Sequence, residues 1–554
     1  MKIKFLQNGL FVTLFLSISF ACNKELIEEN PSGLTATTVF NNAAGFETLV
    51  NSAYTYLRWW YGKEEAFSVT EMGTDIWTSG TGDVYPQLTQ YNNLQGSNTA
   101  SLNTLWDNTY AAINVCNLGI TKISSVIDYS AVQKATREGE LRFLRAFYYW
   151  NIAEIWGGVH FTTTPTSGVV TEANRTPVDT IYNQIFTDLN FAINNLPKTS
   201  TDYGRITQPI AKAFLARMYL TRGKNTEALT LANDVIANYG YTLQANYTDL
   251  WNMGNLKNKE VIWPIDYSTN LAYNDIVNNV TYPQGHARGS NNAHLLFIMV
   301  YDVIKSTVLI RDINNGRPFN RYMPTLSFLN LFQDSIDSRY AASFQTAWIC
   351  NKAGTIGANT FVVGKDTAIL ASKLTIANAS SKKYTVYDRA AIYDATGVPK
   401  DRTHSVTLKK FKDSTRTTVA EVQSARDVFA IRLAEMYLIA AEAAFKNGDN
   451  VTAATNLNLI RTRAALPNKS TSMQITPAKV TLDFILDERA RELAGEQLRW
   501  FDLKRTNTLE SRIKAMNPDA AKYFQPFHIL RPIPQTQIDA VSNKSVFTQN
   551  IGYQ

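Results

Sequence analysis

Two segments of the chain share the pattern of a helical hairpin, and this repeat constrains the fold more than any other feature. Residues 209–239 and residues 431–466 each hold an Ala- and Leu-rich helix, a glycine-containing turn and a second helix with alanines on one face. Small residues allow the two helices of such a pair to approach closely, as in tetratricopeptide-type repeats. A third segment, residues 134–156, carries apolar residues three and four positions apart and is followed by Gly157. The chain is therefore predicted to be mainly α-helical.

The two hairpins are not tandem, because a long and poorly periodic segment, residues 241–425, separates them. A regular solenoid is therefore not expected. This segment is rich in Asn, Gly, Pro, Tyr and Arg, and residues 407–412 and the pieces near 360–387 indicate short strands. Long loops on a stable scaffold often carry function. The alternative is that these loops only cap the helical core.

The densest group of carboxylates lies in residues 485–505, ILDERARELAGEQLRWFDLKR. A glycosidase needs one protonated acid opposite one ionised carboxylate. Here cations lie three or four residues from nearly every acid, which favours ionised, paired carboxylates on a helix that holds the C-terminal end to the scaffold. The chain has no GxSxG nucleophile elbow, P-loop or GxGxxG pattern. We therefore predict that the protein is not an enzyme.

The cysteines, histidines and net charge exclude several other classes of site. The chain has no CxxC pair and no HExxH motif, so no metal and no cofactor are predicted. Cys116 and Cys350 are far apart in the sequence, and we expect buried thiols rather than a disulfide. The formal net charge of +7 is modest for 554 residues, and no Lys/Arg block indicates nucleic-acid binding.

The N-terminus predicts export and lipidation. Lys2 and Lys4 precede an apolar run, residues 10–20, which is about half of the roughly 20 residues that span a bilayer as a helix. This pattern is typical of a signal peptide. Ala21 before Cys22 resembles the lipobox of bacterial lipoproteins, in which the cysteine is acylated and becomes the new N-terminus. A plain secretory signal is the alternative, and the Lys-Glu pair that follows resembles the surface-export signal of Bacteroidota lipoproteins.

Five blocks in a fixed order resemble the SusD/RagB family, the surface lipoproteins that pair with SusC-like TonB-dependent transporters in Bacteroidota. The blocks are the lipidated N-terminus with NPSGLTATTVFNNAAGFETLVNSAYTYL, then EGELRFLRAFYYWNIAEIWGGV, the hairpin at 209–239, PFNRYMPTLSFLNLFQDSIDSRYAASFQTAW, and IRLAEMYLIAAEAAFKNGD with ILDERARELAGEQLRWFDLKRT and ILRPIPQTQID. Together they span essentially the whole chain. The resemblance implies an all-α dominated fold, a SusD-like tetratricopeptide-type scaffold with an irregular, loop-rich second lobe and a few short strands.

Five consecutive regions are predicted from these observations. They are a signal peptide that is removed (1–21), a lipidated tether (22–32), an N-terminal SusD-like helical region (33–240), the irregular lobe (241–425) and a C-terminal helical SusD/RagB region (426–554).

The resemblance also implies a function. A family member of this kind captures a nutrient, most often an oligosaccharide, at the cell surface without cleaving it. It then acts as a lid that delivers the cargo to a SusC-like TonB-dependent transporter in the outer membrane, where the lipid anchor holds it. The alternatives are a RagB-like protein that captures peptides or other nutrients, and a lid with little ligand affinity of its own.

Sugar-binding surfaces need aromatic rings for the apolar faces of sugars and polar groups for the hydroxyls. Family members commonly place such an aromatic after the first helices, where residues 71–85 read EMGTDIWTSGTGDVY. This stretch offers Asp75, Trp77, Asp83 and Tyr85, and a Trp in a Gly-rich loop has little core to join. Packing of Trp77 between lobes is the alternative. The further candidates all come from the middle segment, and they are Tyr282, His294, Tyr301 and Arg317.

Overall fold

The structure is a computed structural model that describes residues 39–270, 291–304 and 307–553. The predicted signal peptide, Cys22 and Tyr282 lie outside these residues. Helices fill the first part of the chain, and their bounds are Ala43–Thr55 (α1), Leu57–Trp60 (α2), Glu64–Thr70 (α3), Pro86–Gln90 (α4), Ala100–Lys122 (α5), Ala131–Trp156 (α6), Val178–Asn195 (α7), Gln208–Thr221 (α8) and Asn225–Asn238 (α9).

Helix α6 confirms the helix predicted over 134–156. Ser130 caps its first turn, because the Ser130 hydroxyl accepts a hydrogen bond from the Gln133 backbone while the Gln133 side chain accepts one from the Ser130 backbone. The helix ends at Gly157, as predicted. The residues of the predicted apolar stripe are all buried, and they are Leu141, Leu144, Tyr148, Ile152 and Ile155.

The middle segment contains short strands and short helices. The strands, including one from the first region, are Trp77–Ser79 (β1), Val261–Ile265 (β2), Tyr322–Pro324 (β3), Phe344–Gln345 (β4), Ala347–Ile349 (β5), Gly354–Ile356 (β6), Asn359–Phe361 (β7), Thr367–Ala371 (β8), Thr385–Tyr387 (β9), Thr407–Leu408 (β10) and Val428–Arg432 (β11). The helices are Ala293–Leu296 (α10), Leu326–Asn330 (α11), Arg339–Ser343 (α12) and Arg389–Ile392 (α13). The strands predicted near 360–387 and at 407–412 are therefore confirmed.

This second lobe has a hydrophobic core of its own. The core is built around the buried rings of Phe328, Tyr301 and Trp348, and it is separate from the larger core of the helical scaffold. Strand β1 pairs antiparallel with β3, with Trp77 opposite Pro324, so residues 77–79 belong to the second lobe although they precede it by more than 150 residues in the sequence. A contact between distant segments thus joins the two lobes.

Helices return after β11. Their bounds are Leu433–Lys446 (α14), Asn450–Arg463 (α15), Ser470–Met473 (α16), Leu482–Leu493 (α17), Arg499–Arg505 (α18), Leu509–Met516 (α19), Pro518–Ala521 (α20) and Gln535–Ala540 (α21). The acid-rich segment 485–505 thus forms two helices rather than one, because the chain turns through Gly495 and Gln497, both of which have positive φ angles.

Both predicted hairpins are present and are neighbours in space. Helices α8 and α9 pack together, helices α14 and α15 pack together, and α9 packs against α14. Each turn holds a glycine in the left-handed region, Gly223 at φ +70° and Gly448 at φ +83°, a conformation that other residues rarely adopt. The two hairpins therefore form one continuous helical stack although the second lobe separates them in sequence.

A buried ionic network attaches the C-terminal helices to the rest of the molecule. Arg432 at the end of β11 donates to Glu492 at 2.7 Å, and Arg339 of the second lobe lies 3.0 Å from the other oxygen of Glu492 and 2.9 Å from Glu488. Burial alone would raise the pKa of Glu492, but Arg463, Arg432 and Arg339 lower it to about 2. The prediction of ionised, paired carboxylates in 485–505 is confirmed.

The remaining predictions about the interior concern thiols and membrane spans. Cys116 and Cys350 are both buried free thiols, as predicted, and burial raises the pKa of Cys116. Within the described ranges, none of the helices combines the length and the apolar character that crossing a bilayer requires.

Candidate ligand-binding site

Trp77 lies in the interior of the second lobe. Its side chain is 0% exposed, and its ring centroid lies 4.7 Å from that of Phe297 and 5.4 Å from that of Phe328. The expectation that Trp77 has little core to join is therefore wrong, because the Gly-rich sequence conceals a strand that pairs with β3. No face of this indole is open to a sugar ring in this structure.

Asp75 is also fully buried. Its carboxylate accepts hydrogen bonds from Nε of Arg499 at 2.8 Å and from Nε of Arg512 at 2.7 Å. Burial would raise the pKa of Asp75, but these two arginines lower it below its usual value. The predicted ligand contact is corrected here, since Asp75 joins the segment before β1 to the C-terminal helices.

Two predicted residues of the middle segment, His294 and Tyr301, are buried as well. The hydroxyl of Tyr301 donates to the backbone oxygen of Gly316 at 2.6 Å. Burial, with the nearby Arg416 adding to its effect, lowers the pKa of His294 to about 3. Both side chains are therefore interior groups and not ligand contacts, which corrects the prediction.

The structure places the remaining described candidates, Asp83, Tyr85 and Arg317, on one surface. We call this surface the Arg321 site, and its members are Glu64, Asp83, Tyr85, Arg317, Phe319 and Arg321. Tyr85 is half-buried against the core of the helical scaffold, whereas Phe319 is half-buried against the core of the second lobe. The site therefore lies where the two lobes meet, a preferred location for ligand pockets.

Two loops approach closely to form this site. The backbone N–H of Gly80 donates to the oxygen of Arg321, and that of Gly82 donates to the oxygen of Asn320, both at 2.9 Å. A Cβ atom at Gly80 would lie 2.2 Å from the Asn320 oxygen, and one at Gly82 would lie 2.0 Å from the Phe319 oxygen. Only glycine allows this approach, which positions Asp83 and Tyr85 next to the segment that precedes β3.

Arg321 is the central cation of the site. Its guanidinium carbon lies 4.8 Å from the ring centroid of Phe319, and that of Arg317 lies 5.2 Å from the same centroid. Nε of Arg321 is 2.7 Å from Oε1 of Glu64, although the N–H is not aligned for a hydrogen bond. Arg317 donates to the Ala420 backbone oxygen at 2.6 Å. Phe319 is thus an aromatic ring with two fixed cations beside it.

The acidic groups of the site are weakly compensated. Burial raises the pKa of Glu64 to about 7, Arg321 opposes this shift, and Glu65 and Asp83 add to it. Burial also raises the pKa of Asp83, whose oxygens accept from the Ser79 hydroxyl and from the Tyr85 backbone. Near neutral pH the Glu64 carboxyl can therefore donate or accept a hydrogen bond, which suits a ligand rich in hydroxyl groups.

Sequence reasoning missed three members of the site, Glu64, Phe319 and Arg321. Glu64 begins α3, and Phe319 and Arg321 lie in a loop without periodicity, so no local pattern distinguishes them. The signal that was available is the pair of glycines in the TSGTGD turn, since closely spaced glycines indicate a close backbone approach. Across the described residues, no group of three or more His, Cys, Asp and Glu side chains could hold a metal ion.

Comparison with known proteins assigns the chain to a family. The model of the SusD family matches residues 259–553, and a model described as "Starch-binding associating with outer membrane" matches residues 28–220. The first match covers more than half of the chain, and the two together cover most of it.

Individual relatives are similar over nearly the full length. SusD-like protein P2 of Formosa agariphila is 23% identical over 98% of this chain and 99% of its own. Among solved structures, a laminarin-binding SusD-like protein covers 93% of this chain and 100% of its own at 23% identity and a TM-score of 0.71. Surface glycan-binding protein A from Bacteroides thetaiotaomicron, in complex with laminarihexaose, covers 92% of this chain and 99% of its own at 21% identity and a TM-score of 0.67. These likenesses confirm the helix-dominated fold.

Proposed function

The chain belongs to the SusD family, and on that premise we propose that it is a non-catalytic, cell-surface lipoprotein that captures oligosaccharide and acts as the lid of a SusC-like TonB-dependent transporter. The glycan would bind at the Arg321 site. The capture of peptides by the same surface is the competing proposal.

The observation that carries the proposal is the pair of half-buried rings, Tyr85 and Phe319, at the junction of the two lobes. Aromatic rings pack against the apolar faces of sugars, and the nearby carboxyl and guanidinium groups of Glu64, Asp83 and Arg321 match sugar hydroxyls. Two structurally similar proteins are described as laminarin-binding and as bound to laminarihexaose, which supports a glucan as the first ligand to test.

We propose that the protein is not a glycosidase because of the pKa values and hydrogen bonds of its carboxyl groups. The carboxylates of 485–505 are held by arginines, and their lowered pKa values leave no general acid among Glu488 and Glu492. At the Arg321 site Glu64 has the raised pKa of a general acid, but both oxygens of Asp83 already accept hydrogen bonds from Ser79 and Tyr85. A glycosidase needs a second carboxylate free to act on water or on the sugar.

Membrane attachment is proposed at Cys22. The predicted tether, residues 22–32, would carry the acyl chains at its first residue. Such a tether leaves room for a lid to move on a partner barrel while its acyl chains stay in the membrane. The Cys22→Ala variant should appear in the soluble fraction, and its retention in the outer membrane would contradict the anchor.

Glycan binding is tested by electrophoresis through gels that contain laminarin or starch, with product analysis alongside. We expect the protein to be retarded without cleavage, and the Phe319→Ala variant to lose about 1 kcal/mol of binding free energy, roughly fivefold in affinity. The matched control is Phe484→Ala, because Phe484 is also half-buried and also has two arginines near its ring, at 5.2 and 5.7 Å.

Three results would decide against parts of this proposal. Released sugar would identify an enzyme. Equal retardation of Phe319→Ala and wild type would move the binding surface away from the Arg321 site. Migration unaffected by every glycan, together with binding of peptides, would favour the peptide alternative.

A further inference from the structure

A second surface groove lies on the helical scaffold. It has a volume of about 240 Å³ and shares no residue with the Arg321 site. Its walls come from the loop between α7 and α8, from the segment after α9 and from β2, which together place Tyr203, Tyr241 and Pro264 around one opening. We call it the Tyr203 groove.

The side chains along the Tyr203 groove combine aromatic rings with hydrogen-bonding groups. Tyr203 and Tyr241 are half-buried, so part of each ring faces solvent. Lys198, Asp202, Lys257 and Asn258 lie beside the rings, together with the hydroxyl groups of the loop. This mixture of rings, amide, hydroxyl and charged groups can match both the apolar faces and the hydroxyls of a sugar.

Tyr203 is held in place by contacts at its hydroxyl and at its ring. Its hydroxyl donates to Oδ2 of Asp427 at 2.8 Å, and Oδ1 of Asp427 accepts from the backbone N–H of Tyr267 at 3.0 Å. Nζ of Lys257 lies 4.3 Å from the ring centroid of Tyr203. A ring fixed in this way loses little conformational entropy when a ligand packs against its exposed part.

Two lysines of the groove, Lys198 and Lys257, have no carboxylate partner among the described residues. Over residues 39–270, 291–304 and 307–553, neither Lys198 nor Lys257 is within ion-pair distance of a carboxylate, whereas most arginines of the scaffold are paired. Each lysine therefore presents three N–H donors to solvent or to a ligand.

We propose that the Tyr203 groove is a second saccharide-binding site, which holds a short stretch of glycan against Tyr203 and Tyr241 and hydrogen-bonds it through Lys198, Lys257, Asp202 and Asn258. The inference rests on the proposed function, since it takes glycan as the ligand class. The groove is smaller than the roughly 300–1,000 Å³ of pockets that enclose a drug-sized ligand, so most of a polysaccharide would remain in solvent. Two weak sites on one chain raise the avidity for a long polymer that reaches both.

A peptide fits this groove less well than a sugar. An extended peptide would need a strand edge with free N–H and C=O groups. The strand that borders the groove is β2, which has Pro264 as the fourth of its five residues and buries all five side chains. Proline has no N–H to offer, so this edge gives an extended chain fewer partners.

The test is calorimetric titration of the full chain, kept in a detergent without a sugar headgroup, with laminarihexaose and with maltohexaose. We expect two hexasaccharides per chain for the wild type and one for the double variant Tyr241→Ala, Lys257→Ala. The Phe319→Ala variant should still bind two, one of them about fivefold more weakly. The matched control is Lys522→Ala, Tyr523→Ala, which removes another surface lysine that lies over a tyrosine ring, at 4.9 Å, and it should still bind two.

Each alternative outcome has a distinct meaning. One hexasaccharide per wild-type chain, bound about fivefold more weakly by Phe319→Ala and unchanged in the groove variant, would overturn the second site and leave the proposed function intact. An absence of heat with both sugars would overturn both. Heat from a tryptic casein digest that disappears only in the groove variant would show a peptide groove instead. Circular dichroism melting confirms that each variant is folded, and Lys257→Ala alone serves if the double variant is not.

Discussion

Two buried carboxylates, Glu492 in the C-terminal network and Glu64 in the Arg321 site, have pKa values shifted in opposite directions. The difference distinguishes a structural acid from an acid that can contact a ligand. Both are largely buried, at 0% and 12% side-chain exposure, and both contact arginine. The pKa of Glu492 is lowered to about 2, because three arginines outweigh its burial, whereas that of Glu64 is raised to about 7. A buried acid that lacks full compensation is a better candidate for ligand contact than a fully paired one.

The largest effect is expected from removal of an arginine of the network. Arg432→Ala would leave Glu492 and Glu496 buried with fewer cations, and we expect the free energy of unfolding to fall by about 3–5 kcal/mol. Denaturant unfolding measures this change. Arg222→Ala is the control, because Asp179, its partner, is 82% exposed, and a surface pair contributes less than about 1 kcal/mol. An equal loss of unfolding free energy in the two variants would show that the buried network contributes no more than a surface ion pair.

The acid of the binding site should behave in the opposite way. At pH 8 the folded protein holds Glu64 ionised at a cost, so Glu64→Gln should raise the free energy of unfolding, by about 1–3 kcal/mol. Glu492→Gln should lower it, since it removes a charge that three arginines surround. Chemical denaturation of both variants measures the direction of each change in the free energy of unfolding. A destabilised Glu64→Gln would show that the misaligned contact between Arg321 and Glu64 is a strong ion pair.

The same contrast predicts two separate pH windows. The pKa of Glu64 is about 7 in the folded protein, against an ordinary value of 4.5. The folded state therefore binds more protons between these values, and stability falls as the pH rises from 4.5 to 7. For Glu492 the folded pKa is about 2, so its contribution is present above 4.5 and is lost as the pH falls towards 2. The difference between wild-type and Glu64→Gln unfolding free energies, measured against pH, isolates the first window. A flat difference from pH 4.5 to 7 would contradict the raised pKa.

The smallest effect concerns the tyrosines. Tyr301→Phe removes the hydrogen bond that the hydroxyl donates to Gly316 and the longer one that it accepts from the Asp312 backbone, and it should cost about 1 kcal/mol of stability with no change in glycan retardation. Tyr85→Phe removes a half-buried hydroxyl at the site and should weaken glycan retardation with little effect on stability. If Tyr301→Phe weakened glycan retardation and Tyr85→Phe did not, the ligand would bind in the second lobe near Tyr301 and not at the Arg321 site.

The helices were predictable because their signals are local. The ionised state of the 485–505 carboxylates was also predictable, although Glu492 pairs with the distant Arg339, Arg432 and Arg463. The hairpins rest on residues three to five positions apart, and the carboxylates of 485–505 have cations at helical spacing. Trp77 and Asp75 were misplaced because their partners are distant: Trp77 lies opposite Pro324, and Asp75 binds Arg499. No window of local sequence contains such a pair.

The Arg321 site was predictable only in part for the same reason. Tyr85 and Arg317 were among the predicted residues, and both are at the surface. Glu64 and Phe319 join them because two loops approach through Gly80 and neighbouring backbone atoms, and the sequence shows the glycine but not what it approaches. Contacts between two loops follow no periodic pattern in the sequence, so the sequence does not predict them.

The packing of α9 against α14 has a consequence for biosynthesis. The two helices are nearly 200 residues apart, so the N-terminal hairpin is synthesised well before its neighbour. During that interval the face of α9 that α14 covers has no native partner, and a nascent chain in this state is prone to aggregate. The first half of the chain therefore has to keep this face of α9 away from other molecules until residue 446 has been synthesised.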